Sequence, residues 1–393
     1  FLKYSAKHEF SFIEGAMGLF DGLGSTDYSS TANVAKILDI PVIFIVNAKG
    51  QVASLLPLVK GFSDFDNNLS IKGIIFNNVN SDRHKKLIKE VFKNESFEIL
   101  GFLPTDSKIN LKKANLGLIS PLDCDKKIDV NYFSSFAEKN LNLVSLIKFL
   151  KSSSKKKISE NPSFNNFKID KSKPIAIAED KIFHFQYPDT KEFLNELGIP
   201  TISWSIFNNE KIPIEASSLI IPGGFPEKYA NHISDSEKSL DSLREFRKNG
   251  FIYAECGGMM ILGDSIRGEN GCNYKMSGIL PFKSKKSKLT VGYRYMKGLG
   301  DSPIIKQNQL IRGHEFHYWE IERSSKELHL NETGYQNKIS PPWDIKSWDT
   351  KYKSEGWSDK KLHASWIHLH LASCPIAAKN FLNSISVNKF QVS

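Results

Sequence analysis

The chain contains no apolar run long enough to span a membrane and no leader of the secretory kind, so neither a membrane partner nor export is expected. It is poor in cysteine. Its four cysteines, Cys124, Cys256, Cys272 and Cys374, lie far apart with no Cys-x-x-Cys pair. That pattern points away from a disulfide framework and from a cysteine zinc site, and it fits a reducing cytoplasm. Gly-x-x-x-x-Gly-Lys-Ser/Thr occurs nowhere, so a phosphate-cradling loop of that type is absent from these 393 residues. There is no internal repeat and no nucleic-acid-binding motif. One charge sign is in excess, at +10 net, but the lysines are dispersed and read as solvated surface rather than a basic stripe.

What is present is ample apolar material, 40% of residues, in a chain long enough for two or three domains. Residues 1–150 alternate strand-like segments (Phe10 to Ile13, Pro41 to Val46, Ile71 to Phe76, Glu98 to Gly101) with helical ones (Thr31 to Leu38, Val52 to Phe62). This alternation predicts a parallel sheet covered by helices. Residues 151–172 are polar and charged, which predicts a linker. Residues 173–393 open a second α/β domain. Its predicted strands are Pro174 to Ala178, Ile199 to Trp204, Leu219 to Ile221 and Phe251 to Ala254, and its predicted helices are Asp189 to Leu197 and Ser239 to Asn249. Residues 270–370 are aromatic and β-rich. The chain starts at Phe1 and enters an apolar segment at Ser11-Phe12-Ile13, from which a preceding N-terminal piece is expected.

The most specific chemical signal is Phe251-Ile252-Tyr253-Ala254-Glu255-Cys256-Gly257-Gly258-Met259-Met260. An apolar run ending at a cysteine, then two glycines and an apolar helical stretch, predicts strand, sharp turn, helix. Such a turn lifts the side chain out of the sheet toward the first amides of a helix, where anionic sulfur is favoured. The glycines let a substrate carbonyl approach the backbone. Taken alone, Cys256 is as readily a buried structural cysteine. Two further segments favour a nucleophile. Ser218-Leu219-Ile220-Ile221-Pro222-Gly223-Gly224 ends a strand in a turn whose N–H groups can face a developing oxyanion. Ala364-Ser365-Trp366-Ile367-His368-Leu369-His370-Leu371 predicts a strand carrying two histidines on one face, one of them a base and acid for the thiol.

In the first domain, Glu14 and Asp21 follow the first predicted strand, where ligands of an open parallel sheet bind. Two carboxylates there suit Mg²⁺ carried with nucleotide phosphates. A Gly-rich turn with two solvated acids is the alternative.

Six segments together resemble one family, the cobyrinic acid a,c-diamide synthases. They are Glu-Gly-Ala-Met-Gly-Leu-Phe-Asp-Gly (14–22), Ser-Thr-Ala-Asn-Val-Ala-Lys-Ile-Leu (30–38), Pro-Gly-Gly-Phe-Pro-Glu (222–227), Ala-Glu-Cys-Gly-Gly-Met-Met (254–260), Gly-His-Glu-Phe-His-Tyr (313–318) and Ala-Ser-Trp-Ile-His-Leu-His-Leu (364–371). The resemblance is colinear over nearly the whole chain. It implies two doubly wound α/β domains. The first is an incomplete P-loop NTPase domain like dethiobiotin synthetase, and the second a class I glutamine amidotransferase domain. It implies a ligase that uses ATP, Mg²⁺ and glutamine to amidate the a and c carboxylates of cobyrinic acid. Hydrogenobyrinate or a nickel sirohydrochlorin are the alternative acceptors, and a truncated non-catalytic homologue is the alternative to an enzyme. By the resemblance, Cys256 is the nucleophile, His368 the proton shuttle, and the backbone at Gly224 and Gly257 the oxyanion and glutamine site. Glu14 and Asp21 belong to the synthetase site, with Glu14 the metal ligand. A homodimer is open as its assembly.

The chain departs from the family pattern at several positions. His370 stands where most class I amidotransferases carry a Glu, which implies a Cys-His dyad. Asn47 replaces a frequent Asp, Asn77-Asn78 a frequent Asn-Arg, and Asn115 a histidine. The family's phosphate loop is expected before Phe1.

Overall fold

A computed structural model describes residues 1–109, 129–151, 171–268, 270–323, 339–348 and 351–386. These fall into two compact units, residues 1–160 and 161–393. Most of the expected linker, Asn115 and Cys124 lie outside the described residues. Among the described residues, no helix is long and apolar enough to cross a membrane.

The first unit runs α1 (Leu2–Ser5), α2 (Thr31–Leu38), β1 (Val42–Asn47), α3 (Leu55–Phe65), β2 (Ile71–Asn77), α4 (Asp82–Val91), β3 (Glu98–Leu103), α5 (Val130–Asn140) and α6 (Leu143–Lys151). Its described strands form one parallel sheet in the order β1-β2-β3. The apolar runs of β1–β3 and the amphipathic α3 and α4 meet in a core of Val46, Leu55, Val59, Ile74, Phe76, Ile88 and Phe92. α2 begins where Ser30 accepts the Asn33 N–H, an N-cap that satisfies an otherwise orphaned donor. α3 starts at Leu55 rather than Val52, because Val52 to Ser54 make a turn in which the Leu55 N–H bonds to the Val52 carbonyl.

The expected strand at Phe10 to Ile13 is not formed. The segment is coil, with Phe12 64% and Ile13 43% exposed. An apolar run becomes a strand only where a sheet edge takes its backbone groups and a core takes its side chains, and this one has neither among the described residues.

The second unit runs β4 (Ile175–Ala178), α7 (Pro188–Glu196), β5 (Thr201–Trp204), β6 (Ser218–Ile221), α8 (Ala230–Asp235), α9 (Glu237–Asn249), β7 (Phe251–Glu255) and α10 (Gly257–Leu262). There follow β8 (Ser265–Arg267), β9 (Asn273–Lys275), β10 (Phe282–Gly298), β11 (Leu310–Arg323), β12 (Trp343–Lys346), β13 (Lys353–Glu355), β14 (Trp357–Asp359), β15 (Leu362–Ser365) and α11 (Pro375–Ser386).

Its main sheet has the order β14-β15-β7-β6-β4-β5, parallel except for β14. Successive residues of β4, β6 and β7 feed two different cores. Ala176, Leu219, Ile221, Ile252 and Ala254 enter one, while Ile175, Ile177, Ile220, Phe251 and Tyr253 enter the other. That alternation is the period-two geometry of a strand buried on both faces, and it explains why these runs are continuously apolar. Both units are therefore parallel α/β sheets, as expected. A second sheet is built on the long antiparallel pair β10–β11, with β12, β13, β8 and β9 alongside.

Candidate functional site

Cys256 follows the last residue of β7 and caps α10, with φ 48° and ψ −111°. A non-glycine residue at positive φ carries a backbone cost of about 1–3 kcal/mol, which the surroundings must hold in place. They do so from both sides. The Cys256 N–H donates to the Ser365 carbonyl at the end of β15, 2.7 Å away, and the Cys256 carbonyl accepts from Met260 at 3.2 Å. The two glycines that follow are required by close approach. A Cβ on Gly258 would sit 2.3 Å from the Ile221 carbonyl oxygen, and one on Gly257 would sit 2.5 Å from the Gly224 oxygen and 2.9 Å from the Gly224 nitrogen. The turn after β6 and the turn after β7 thus lie backbone against backbone. Gly257 opens α10, so its N–H is among the helix-end donors that have no partner within the helix.

His368 reaches this point from the far side of β15. The expected strand across Ala364 to Leu371 ends at Ser365. There the Trp366 N–H goes to the Glu355 carboxylate (2.8 Å) and the Ile367 N–H to the Ser365 hydroxyl (2.9 Å), so side-chain acceptors replace the ladder. The chain then pairs with β11 by a single bridge, His314 N–H to His368 O at 3.2 Å and His368 N–H to His314 O at 2.8 Å. Gly313 permits that approach, since a Cβ on it would meet the His368 carbonyl at 2.6 Å.

In consequence the two histidines do not share a face. His368 is 3% exposed, close enough to Cys256 and Glu255 for both to act on its charge. The His370 ring packs on Tyr187, its Nδ1 accepts the Ser373 N–H at 3.1 Å, and its Nε2 lies 3.6 Å from Asp189. It caps a short 3-10 turn.

The surroundings of His368 are closed. The His314 ring stacks on it at 4.9 Å, Phe185 meets it edge-on at 5.8 Å, and a Cβ on Gly223 would lie 2.4 Å from its Cε1. Burial opposes charge on the imidazole. The neighbouring Cys256 and Glu255 side chains outweigh burial and hold His368 up at about 10. His314 goes the other way. Burial, then the charge of His368, push it down to about 4, so it stays neutral against its partner. The Cys256 sulfur lies 3.9 Å from the Phe316 carbonyl oxygen of β11.

Four residues of this constellation were not anticipated in their roles. Gly223 gives the imidazole room, and His314 stacks on it. Glu315, beside Phe316, is buried and bound to Arg294 (2.7 Å) and His317 (2.9 Å). Glu255 is buried next to the nucleophile, with Oε2 3.5 Å from His368 Nδ1. The sequence held one signal for Glu255, a carboxylate closing an otherwise apolar strand.

Cys256, His368, Gly224 and Gly257 are thus brought together. Glu14 and Asp21 lie in the first unit, on the loop between α1 and α2 rather than after a strand. Glu14 is exposed. Asp21 accepts the Gly18 N–H at 3.0 Å, closing a turn, and Thr31 at the start of α2 anchors the same loop through the Ala16 carbonyl at 3.2 Å. Among the described residues no three metal-binding side chains converge, so this loop offers at most the one or two carboxylates that suit a phosphate-bound Mg²⁺.

At the carboxyl ends of β1 and β2 the asparagines form a neutral network. Asn78 donates to Asn47 at 2.9 Å and accepts from Thr105 at 3.1 Å, with Asn78 at φ 63°.

Comparison with known proteins agrees with this two-unit reading. A CobB/CobQ-like glutamine amidotransferase domain model matches residues 174–375, and an AAA domain model matches residues 1–113, which supports ATP use. The chain is 32% identical to the cobyrinate a,c-diamide synthase of Caldanaerobacter subterraneus over 98% of its own length and 83% of that protein. It is 32% identical to that of Synechococcus sp. over 98% and 82%, and 34% identical to that of Limosilactobacillus reuteri over 96% and 81%. Among solved structures, PurLQS from Thermotoga maritima matches at 13% identity and a TM-score of 0.37, covering 54% of this chain and 97% of that one. At about a third identity over nearly its whole length, with both domain models in the same order, the chain belongs to the cobyrinate a,c-diamide synthase family of glutamine-dependent ligases.

Proposed function

We propose that this chain converts the a and c carboxylates of cobyrinate to amides, with nitrogen from glutamine and activation by ATP. The observation that carries the reading is the strained Cys256 turn in contact with a buried, positively biased His368, within a chain of this family.

The glutaminase half follows from that geometry. The Cys256 sulfur attacks the glutamine carboxamide carbon, and the backbone amides near Gly224 and Gly257 receive the negative oxygen. The C–N bond breaks as His368 gives its proton to the leaving nitrogen, releasing ammonia and leaving a glutamyl thioester. Water then attacks the thioester carbon and His368 takes its proton, so glutamate leaves and the resting pair is restored. Two lower barriers replace one high one.

The first unit handles the acceptor. A carboxylate has no good leaving group, so its oxygen first attacks the γ-phosphorus of ATP, giving an acyl phosphate and ADP. Ammonia adds to the acyl carbon, gives up a proton, and phosphate departs, leaving the amide. Glu14 and Asp21 are the side chains proposed for this site, Glu14 as metal ligand. Mg²⁺ bound there with the nucleotide would offset the charge of two approaching anions.

The test is to incubate the protein with cobyrinic acid, Mg·ATP and glutamine and to follow the corrinoid by mass. Two successive acid-to-amide steps are expected. Glutamate release without any corrinoid change would leave the Cys256 chemistry standing and overturn the acceptor.

A further inference from the structure

The imidazole of a thiol–imidazole pair works as acid and base only if its far nitrogen is fixed, so that the correct tautomer and ring angle face the sulfur. The residue two places after His368 does not do this, because His370 is engaged with Ser373, Asp189 and Tyr187. We propose that Glu255, the residue immediately before the nucleophile, is the positioning residue for His368. The inference rests on the glutaminase reading of Cys256 and His368 and deepens it.

Three observations carry it. First, Glu255 Oε2 lies 3.5 Å from His368 Nδ1, with both side chains almost fully buried. Second, the carboxylate is anchored. Oε1 accepts the Leu369 N–H at 2.9 Å and the Tyr253 hydroxyl, which commits one oxygen to the scaffold and leaves the other for the imidazole. The Leu369 bond ties the same carboxylate to the residue next to His368, so ring and acceptor share one backbone reference. Third, the strand register makes the arrangement possible. Tyr253 and Glu255 are two apart on β7 and share a face, and that face packs against the core containing Ile367 and Leu369. Cys256, one residue further and on a turn, joins the opposite core. Strand end and turn therefore bring both the acid and the nucleophile to one imidazole.

The charged and titratable groups facing this trio are His314, stacked on His368, and Tyr253 and Tyr187, both held protonated by burial and by Glu255 itself. The Tyr253 hydroxyl is committed to Glu255 Oε1. His314 faces the flat of the ring rather than its edge.

The test compares Glu255→Gln and Glu255→Asp with the parent chain, using glutamate release from glutamine. Gln keeps the shape and can still accept the Leu369 N–H, but it removes the charge. The expected result is a fall of about 10²-fold in kcat with KM within about threefold, since the proposed role acts through the imidazole. Glu255 also favours the charged imidazole, so the alkaline limb of kcat/KM moves to lower pH in the Gln variant. The Asp variant recovers part of the loss. A purely structural role would instead lower the melting temperature and leave the pH profile of the remaining activity where it was.

Should Glu255→Gln not fold, nitrogen-15 histidine NMR of the parent chain decides. Above the pH at which the imidazole loses its charge, the remaining proton of His368 is expected on Nδ1 and protected from exchange, and a proton-free Nδ1 there overturns the proposal. Parent-like kcat and pH profile in Glu255→Gln overturn it as well, provided that Cys256→Ser abolishes glutamate release. If Cys256→Ser retains glutaminase activity, it is the underlying glutaminase reading that fails.

Discussion

Replacing Gly223 by alanine is the smallest perturbation aimed at the imidazole alone. Gly223 is not at positive φ, so alanine meets no backbone strain there, and the whole effect is steric. The added methyl would lie 2.4 Å from His368 Cε1, 3.2 Å from Nδ1 and 3.3 Å from the Phe185 Cβ. Ordinary contact begins near 3.4 Å, so the ring must retreat by about 1 Å. It has no slack in which to do so. His314 covers one face, Phe185 stands at its edge, and the backbone is pinned to β11 by two hydrogen bonds.

Misplacing a catalytic group by about 1 Å costs on the order of 10²-fold in rate. Glutamate release by Gly223→Ala is expected to fall by about that factor. Stability should fall by about 1–3 kcal/mol, as for other overpacked sites. The assay is steady-state glutamate release, with free-ammonia amidation as the internal control for the first unit and thermal melting as the control for folding. Glutaminase activity within threefold of the parent, at unchanged KM, would refute the claim that His368 occupies its working position in this structure.

Cys256→Ser is expected to abolish glutamine use while amidation from free ammonia persists, and equal loss of both would count against two separate sites. Asp21→Asn is expected to impair amidation more than glutamate release, and normal amidation would remove Asp21 from the synthetase site. His363 supplies a pH test. It is buried between Tyr253 and Trp343, its Nδ1 has no hydrogen-bond partner among the described residues, and burial pushes it down to about 3. Between pH 6.5 and about 3 the unfolded chain binds a proton that the folded one refuses, so stability is full above pH 6.5 and is lost as the pH falls. At pH 4.5 this costs about 2–3 kcal/mol, and a His363→Phe variant should show a correspondingly smaller drop in urea midpoint between pH 7 and pH 4.5. An identical drop in both proteins would show that His363 is not the source.

The elbow at Cys256 was legible because its cause is local. An apolar run, a cysteine and two glycines admit few backbones, and the close approaches of Gly257 and Gly258 to the preceding turn are what the glycines are for. The parallel sheets were legible for a similar reason, since strands buried on both faces are continuously apolar. The reading failed where an outcome depends on a partner distant in sequence. The run at Phe10 to Ile13 has strand composition but no sheet edge to join. The segment from Ala364 has strand alternation, yet Glu355, brought in by β13, takes the Trp366 N–H and ends the ladder one residue past β15. That single capture turns His368 toward the thiol and His370 away from it.

The same dependence explains why Glu255 was passed over while attention went to His370, at the position where a Glu is usual. Sequence distance favours His370, two residues from His368, whereas Glu255 is more than a hundred residues away. In space the order reverses, because β15 lies beside β7 in parallel, with Ser365 opposite Glu255. A chain leaving the end of β15 must pass the end of β7, where any side chain on the Tyr253 face will meet it. A carboxylate at that strand end is costly to bury without partners. Here Leu369, Tyr253 and His368 all turn toward it. Parallel pairing, which joins distant segments at their like ends, is thus what allows the residue before a nucleophile to serve the base that activates it.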